Sequence, residues 1–327
     1  MKKITIFIIT LLLLQCETNP PTFSSDPADA ARFYITSNVD SANIFINDEA
    51  QEEVTPAEVS VEPGSHQIRL EKTGYYTETV TRSIGLNETD TIYIELQEIT
   101  IQKAVLLEDF ANVSCTPCII SNQIIKRISD ELYDENELIV VKYPTNFPSP
   151  VDPFYLANSS DCDARYSFYD PILSVPAVII DGISRPIPTD ETSIVTSIEE
   201  RLNIEPPVEL LVTKIIGGDS LKVDITISVE TDISNLGALT LHTVITETDI
   251  NFDLPPGSNG ETTFYHVMRK MLPSNNGEVL DSLEQGESYN FQRSVEINPG
   301  WQTENLSAVV FLQDLGSKVV IQSAVSN

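Results

Sequence analysis

The segment AVLLEDFANVSCTPC, residues 104–118, leads from a run of apolar side chains into a pair of cysteines. The run is typical of a buried strand, and the residues after Cys118 repeat apolar side chains at helical spacing. The pair is therefore predicted between a strand end and a helix start. There Cys115 would be accessible at the helix N-terminus, where free N–H groups and the helix dipole favour a thiolate. Cys118 would be sheltered one turn into the helix.

The elements around this pair predict an α/β domain over residues 101–205. The helix in PCIISNQIIKRISDELY would present four apolar side chains on one face: Ile120, Ile124, Ile128 and Leu132. Further along, ELIVVKYP and VPAVIIDG are typical of strands, ISRPIP of a short fourth strand, and TDETSIVTSIEERLN of a capped helix. With a helix-leaning stretch from Asp152 to Tyr169, the order is strand, helix, strand, helix, strand, strand, helix. That order predicts a central mixed sheet.

Both flanking regions alternate apolar and polar side chains, as β-strands do. Residues 32–100 include RFYITSN, ANIFIND and DTIYIELQ with Asn-Asp and Pro-Gly turns between such runs, and they predict a small all-β sandwich. Residues 206–327 contain about seven alternating runs, among them LKVDITISVE and LSAVVFLQDL, and predict a two-sheet sandwich of immunoglobulin type. The fold class is therefore predicted to be multidomain, with an α/β domain between two all-β domains.

The N-terminus, MKKITIFIITLLLLQC, predicts an export signal over residues 1–15, because its apolar run is too short to span a bilayer. Its end, LLLQC, resembles a bacterial lipobox, which implies lipidation of Cys16 and a membrane contact through that lipid. Residues 16–31 are rich in Pro, Ser and Asp and are expected to form a flexible tether. The expected location is the cell envelope, as an outer-membrane lipoprotein that faces the periplasm or the cell surface.

The composition narrows the possible partners. The chain has 49 acidic and 19 basic residues and a formal net charge of −30, which would repel nucleic acid. No nucleic-acid partner and no cofactor are expected. A metal site is also not expected, because Cys162 is single and the histidines lie in other predicted domains. The three histidines are His66, His242 and His266.

Two resemblances follow from these motifs. The order ANIFIND, TPAEV and EPGSHQIRLEKTGY resembles the PEGA domain, a small β-sandwich of exported bacterial proteins. The runs ETTFYHVMRKMLP and WQTENLSAVVFLQD resemble the C-terminal half of a bacterial outer-membrane lipoprotein family. In that family a thioredoxin-like domain precedes an immunoglobulin-like β-sandwich. The resemblance implies the same two domains at residues 101–205 and 206–327.

The thioredoxin resemblance is carried by AVLLEDFANVSCTPC and SVPAVIIDG. It implies that Cys115 attacks, that Cys118 resolves, that buried Asp109 helps to move the proton of Cys118, and that Pro176 is cis beside the pair. Contact with substrate is implied for three residues: Val175, Thr116 and Pro117. The chain departs from the thioredoxin pattern at Ser114, where active members normally have tryptophan.

Two functions from different classes remain open at this stage. The chain is either a thiol-disulfide oxidoreductase that acts on exported proteins with thiols or disulfides, or a non-catalytic lipoprotein. In the second case it would bind envelope polymer or protein, and the cysteine pair would be a permanent structural disulfide. Cys162 is a quiet buried thiol, a regulatory or third redox thiol, or a partner for another chain.

Overall fold

The computed structural model describes residues 31–326 apart from six positions: Thr73, Ile99, Asp170, Asp232, Ser234 and Asn235. The predicted export signal, Cys16 and all but the last residue of the predicted tether lie outside the described residues. The chain divides after Glu98 into two compact units. Within the part of the chain that the structure describes, no helix has the length and apolar character needed to cross a membrane.

The first unit is all-β, as its alternation predicts. Its strands are β1 (Ala31–Ser37), β2 (Asn43–Ile46), β3 (Glu49–Val54), β4 (Ala57–Val61), β5 (Gly64–Glu71), β6 (Glu78–Ile84) and β7 (Thr89–Ile94). They form two sheets, with the orders β4-β1-β7 and β3-β2-β5-β6. In β1, Phe33 and Ile35 are buried whereas Tyr34 between them is 41% exposed. One face of each sheet therefore supplies the core.

The second unit begins with α/β elements. They are β8 (Val105–Ala111), α1 (Cys118–Arg127), β9 (Leu138–Pro144), α2 (Pro153–Ala157), α3 (Ser159–Phe168), β10 (Ala177–Ile180) and α4 (Glu191–Leu202). Every residue of β8 is buried, because this strand lies between parallel β9 and antiparallel β10. The expectation of a fourth strand in ISRPIP is wrong, since that stretch forms only an isolated bridge between Ile180 and Ser184. Pro186 and Pro188 lack the N–H groups that a longer ladder needs.

The predicted apolar face of α1 is wrong in part. Ile128, in a π-helical turn that continues the helix, is buried, but Ile120 and Leu132 are 52% and 46% exposed. The helix instead buries a stripe that begins at its first residue, the second cysteine of the pair. Its members are Cys118, Ser121, Ile125 and Ile128. Cys118 is held inward by its disulfide. The buried side of the helix therefore differs from the one that its apolar spacing predicts.

The C-terminal part of the second unit is all-β. Its strands are β11 (Val208–Gly217), β12 (Ser220–Val229), β13 (Leu239–Glu247), β14 (Ile250–Asn251), β15 (Thr263–Phe264), β16 (Val267–Leu272), β17 (Glu278–Val279), β18 (Ser288–Glu296), β19 (Leu306–Asp314) and β20 (Val320–Val325). One sheet has the order β11-β12-β18, and it packs against residues of β13 and β19. The strands therefore supply two layers around an apolar core.

A single sheet connects the α/β elements to these C-terminal strands. Its order is β10-β8-β9-β16-β13-β19-β20, with β17 also paired to β13. The junction is a parallel bridge between Val267 of β16 and Lys142 of β9. Strands from both sides of the boundary predicted at residue 205 thus belong to one continuous sheet, and the division into three domains stays a prediction.

Buried polar clusters reinforce this connection. Arg165 of α3 donates from Nε and Nη2 to the Glu108 carboxylate of β8, at 2.6 and 2.8 Å, and from Nη1 to Gln313 of β19 at 2.9 Å. Tyr169 joins the same cluster through its hydroxyl. Glu108 and Arg165 are almost fully buried, and both oxygens of the carboxylate are bonded. This Glu108–Arg165 cluster fastens the α/β elements to the C-terminal strands.

Candidate functional site

The two cysteines of the opening segment form a disulfide at the beginning of α1. The helix starts at Cys118 itself, so the resolving position lies at its first residue and not one turn inside as expected. The N–H of Cys118 donates to two atoms of Cys115, the carbonyl oxygen and Sγ, each at 3.2 Å. An amide donor is therefore directed at the first sulfur, where it would stabilise a thiolate.

The two cysteines are enclosed, whereas the turn between them is open. Cys115 is 2% exposed and Cys118 is 0% exposed. Thr116 and Pro117 are both exposed. The sequence led us to expect an accessible first sulfur, and in this conformation only the intervening turn reaches solvent.

A loop from the C-terminal strands packs on the residues just before Cys115. The N–H of Asn259 donates to the Val113 carbonyl at 3.2 Å, and the N–H of Ser258 donates to Ser114 Oγ at 3.2 Å. Gly257 approaches so closely that a Cβ there would lie 2.2 Å from the Val113 oxygen. We call residues 257–261 the covering loop. It occupies the side of the pair at which Ser114 replaces the expected tryptophan.

Asp109, the predicted proton acceptor, is fully buried in β8. Its Oδ2 accepts a hydrogen bond from the ammonium of Lys142, its register partner on β9. Its Oδ1 has no hydrogen-bond partner in the structure. A half-satisfied carboxylate in the interior has an unused acceptor position, which could receive a proton.

Lys142 was not singled out by the sequence analysis. A usable signal was present, because it is the only charged residue inside the apolar strand Leu138–Pro144. Its ammonium also donates to Asn122 Oδ1, and the Asn122 amide group donates in turn to Glu261 at 2.8 and 3.0 Å. Asn122 and Glu261 lie in segments separate from β9, and nothing in the sequence around them indicated a role at this site.

A cavity of about 530 Å³ opens beside Asp109. It is bounded by α1, β9 and residues 260–266. The Lys126 ammonium lies 4.5 Å from the Tyr265 ring centroid in its wall. Burial, together with Lys142 and Lys126, lowers the pKa of His266 to about 4, so this histidine is neutral at neutral pH. The cavity offers a path between solvent and the buried Asp109–Lys142 pair.

The Val175–Pro176 bond is cis, and β10 begins at the next residue. Val175 is 8% exposed and belongs to the same apolar cluster as Cys115 and Cys118. Pro176 lines a shallow groove of about 270 Å³ along β10, whose rim includes Leu173, which is 89% exposed. Val175 therefore belongs to the apolar core that encloses the two cysteines.

Cys162 lies in α3 and is 1% exposed. Burial raises the pKa of its thiol, and Asp152, Asp161 and Asp163 raise it further. The thiolate is the reactive form, so this environment favours the quiet buried thiol among the three interpretations of Cys162. Within the described residues, no group of three or more His, Cys, Asp or Glu side chains could hold a metal ion.

Comparison with known proteins identifies the first unit and relates the fold of the chain to solved structures. Residues 31–100 match the family model of the PEGA domain, which confirms the PEGA-like domain predicted at 32–100. HBP35 of Porphyromonas gingivalis is 15% identical, with a TM-score of 0.57 over 69% of this chain and 76% of that one. At this identity the likeness shows a shared fold.

Two further structures align less well. A protein from Agrobacterium tumefaciens is 12% identical, with a TM-score of 0.46 over 68% of this chain and 93% of that one. A domain of the outer membrane lipoprotein Omp28 from Porphyromonas gingivalis is 17% identical, with a TM-score of 0.27 over 37% of this chain and 88% of that one. The search of curated proteins found no match. The chain therefore combines a region matching the PEGA domain family with a predominantly β multi-sheet fold like that of HBP35.

Proposed function

We propose that this chain is an envelope lipoprotein that exchanges thiols and disulfides with exported proteins through Cys115 and Cys118. The observation that carries the proposal is the amide of Cys118, which donates to Cys115 Sγ at the first residue of α1. This donor and the helix N-terminus favour the thiolate of Cys115 over its thiol.

The arrangement of strands and helices supports a thioredoxin-like domain at residues 101–205. β8 lies between parallel β9 and antiparallel β10, the cysteine helix follows β8, and α4 follows β10. This is the order that the sequence resemblance implies, except that the last strand is reduced to one bridge. The opposite side of the sheet continues into β16, where a separate domain would have an edge.

The exchange is balanced as a two-electron transfer. The Cys115 thiolate attacks one sulfur of a substrate disulfide, a mixed disulfide forms, and the other substrate sulfur leaves and takes a proton from solvent. Cys118 then gives its proton to the Asp109 carboxylate and attacks Cys115 Sγ, which releases the second substrate thiol. The protein ends oxidised and the substrate reduced. The reverse sequence oxidises a substrate dithiol.

The exposed turn and the groove along β10 are suited to an extended cysteine-containing segment. Thr116 and Pro117 are exposed beside the pair, and Val175 and Pro176 lie at the beginning of β10. The groove is lined mainly by proline and aliphatic residues. Unfolded segments of exported proteins, with apolar side chains near their cysteines, fit such a surface.

The membrane anchor forms part of this proposal. A lipid on Cys16 would hold the chain in the outer membrane, because each buried methylene contributes about 0.8 kcal/mol. The tether over residues 16–31 would keep the folded units away from the bilayer. The units would face either the periplasm or the cell surface.

A second candidate function is a non-catalytic scaffold that binds envelope polymer or protein. One observation favours it: Cys115 is only 2% exposed, and the covering loop binds the neighbouring Ser114. In that case the disulfide never opens, and the PEGA domain and the C-terminal strands provide the binding surfaces.

Trapping of a mixed disulfide separates the two functions. In the reduced Cys118→Ser variant, Cys115 should form a stable mixed disulfide with a disulfide-containing protein such as insulin, visible as a shift in mass. Cys115→Ser should form none through the pair, and Cys162→Ser should behave as the unmodified protein. Resistance of the native disulfide to millimolar dithiol, with no trapping on Cys115, would instead establish the scaffold.

A further inference from the structure

The covering loop contacts the surroundings of the disulfide at two places. Its backbone binds Val113 and Ser114 ahead of Cys115. Its last residue, Glu261, binds Asn122 on α1. A segment from the C-terminal strands therefore reaches both the turn before the disulfide and the helix that follows it.

From Glu261 a continuous chain of hydrogen bonds leads to Asp109. Both carboxylate oxygens of Glu261 accept from Asn122 Nδ2, at 2.8 and 3.0 Å. Asn122 Oδ1 accepts from the Lys142 ammonium, and that ammonium also donates to Asp109 Oδ2. Asn259, on the same loop, donates to Glu261 through its side-chain amide at 2.5 Å.

The chemistry of these groups fixes the direction of every bond. An ionised carboxylate only accepts, so Glu261 can bind only the NH₂ side of the Asn122 amide. The oxygen side of that amide is then turned toward Lys142, whose ammonium only donates. Glu261 thus sets the orientation of Asn122, and Asn122 in turn fixes the position of Lys142.

Lys142 has other carboxylates within the same cavity. Asp130 and Glu131 both line it, and its volume of about 530 Å³ leaves room for a long side chain to move. A lysine that is no longer held by Asn122 could turn toward these acids. Asp109 would then lose the cation that balances its buried charge.

We propose that Glu261 is a positioning residue for thiol-disulfide exchange and that it holds Lys142 against Asp109 through the side chain of Asn122. This inference rests on the proposed function. It makes the covering loop part of the site, because Glu261 of this loop then holds in place the cation that faces Asp109, the proposed proton acceptor for Cys118.

Several charged and titratable groups face the Asp109–Lys142 pair from the elements around it. β9 supplies Lys142 itself, α1 and its π-helical turn supply Lys126, Arg127, Asp130 and Glu131, the N-cap of α2 supplies Asp152, and the C-terminal segment supplies Glu261 and His266. His266 is neutral at neutral pH because burial lowers its pKa to about 4. Changes of rate around neutral pH therefore do not arise from this histidine.

The test is the pH profile for closure of the reduced pair by glutathione disulfide, followed from about pH 5 to about pH 9. In Glu261→Ala and in Asn122→Ala, the midpoint should move to higher pH by roughly half a unit, or about a threefold slower closure at pH 7. Without the positioned lysine, Asp109 lacks the ammonium that binds its Oδ2. Glu261→Gln keeps an acceptor for Asn122 and should restore the unmodified profile, and exposed Glu287→Gln serves as the charge-matched control.

Each outcome of this test decides a separate question. An unmodified profile in Glu261→Ala would overturn the positioning role, even if that variant unfolds more easily. A shift in Glu261→Gln equal to that in Glu261→Ala would also overturn it, because charge and not orientation would then act. A normal profile in the unmodified protein without trapping of any protein substrate would weaken the proposed function and leave the positioning role intact. A disulfide that no small thiol opens would remove both.

Discussion

Glu108 and Asp109 are neighbours in β8, yet their environments are opposite. Both are fully buried carboxylates on the same strand. Both oxygens of Glu108 are bonded, to Arg165 and Tyr169, in the cluster that joins β8 to α3 and β19. One oxygen of Asp109 is bonded to Lys142, and the other is unpartnered beside a cavity.

This comparison separates a structural carboxylate from one that is suited to chemistry. A buried charge is tolerated when its hydrogen bonds are complete, and the Glu108–Arg165 cluster meets that condition. Asp109 does not, because its Oδ1 has no hydrogen-bond partner in the structure and offers a free acceptor position. Successive residues of a strand point to opposite faces, so one strand can provide both environments.

Disruption of the Glu108–Arg165 cluster should have the largest effect. Arg165→Leu leaves Glu108 as an unpaired buried charge and should lower the free energy of unfolding of the second unit by about 3–5 kcal/mol in urea denaturation. The double change Arg165→Leu with Glu108→Leu should recover much of that loss. Exposed Lys222→Leu in β12 is the control, with an expected change below about 1 kcal/mol. A small loss in Arg165→Leu would show that the cluster is not structural.

Removal of the Asp109 carboxylate should affect exchange more than stability. Asp109→Asn keeps the shape of the side chain and removes the proton acceptor, so closure of the pair at pH 7 should slow by about 10²-fold. Stopped-flow fluorescence or quenched mass spectrometry would measure the rate, with exposed Asp281→Asn as control. If the rate stayed within twofold of the unmodified protein, the contrast between the two acids would have no chemical meaning.

Two buried or half-buried histidines, whose pKa values are lowered in the folded protein, predict a loss of stability in acid. His242 stacks on Phe311 near the Glu108–Arg165 cluster, and burial, with Arg165, lowers its pKa well below 6.5. Burial lowers the pKa of His266 to about 4. Between pH 6.5 and pH 4 the unfolded chain binds protons that the folded chain does not, so stability should fall as the pH decreases.

Each histidine can change the free energy of unfolding by at most about 1.4 kcal/mol per pH unit. His266 is partly exposed to solvent, so its contribution is smaller. Urea denaturation at pH 7 and pH 5 would measure it. His242→Phe should remove the larger part, because phenylalanine keeps the stacked ring and cannot be protonated. An equal decline in that variant would assign the acid sensitivity to other groups.

A change at Gly257 should have the smallest effect and concerns access to the pair. A Cβ at this position meets the Val113 carbonyl at 2.2 Å, so Gly257→Ala must displace the covering loop. The rate of iodoacetamide labelling of Cys115 in the reduced protein should rise several-fold. Gly217→Ala, where nothing lies within 4 Å of the added Cβ, is the matched control. Equal labelling in both variants would show that the loop does not restrict Cys115.

The sequence predicted the elements better than their connections. Periodicity placed the β-strands of the first unit and the strands and helices around the disulfide, because one face of each element must be apolar. It misjudged the face of α1, since the buried stripe includes Cys118 and Ser121, which the apolar spacing did not single out. Local patterns also gave no sign that β9 and β16 share a sheet.

For the candidate site too, the sequence indicated residues that are close together in the chain and missed those that meet only in the fold. Cys115, Cys118 and Asp109 were recognisable because they lie within fifteen residues of continuous sequence, at residues 104–118. Asn122 and Glu261 are 139 residues apart and meet only through the folded chain. A pairing at such a distance depends on tertiary packing, and a single sequence offers no physical means to infer it.

The bonds at the edge of the long sheet have a consequence for biogenesis. Lys103 donates to the Val320 carbonyl, the Ala104 N–H donates to Gln322, and Ser323 donates back to Ala104, over separations of 217 to 219 residues. A polypeptide that emerges with its N-terminus first would have to wait for residues 320–323 before this edge could close. Until then the cysteine-bearing half would remain open to holdase chaperones and to other thiols in the compartment.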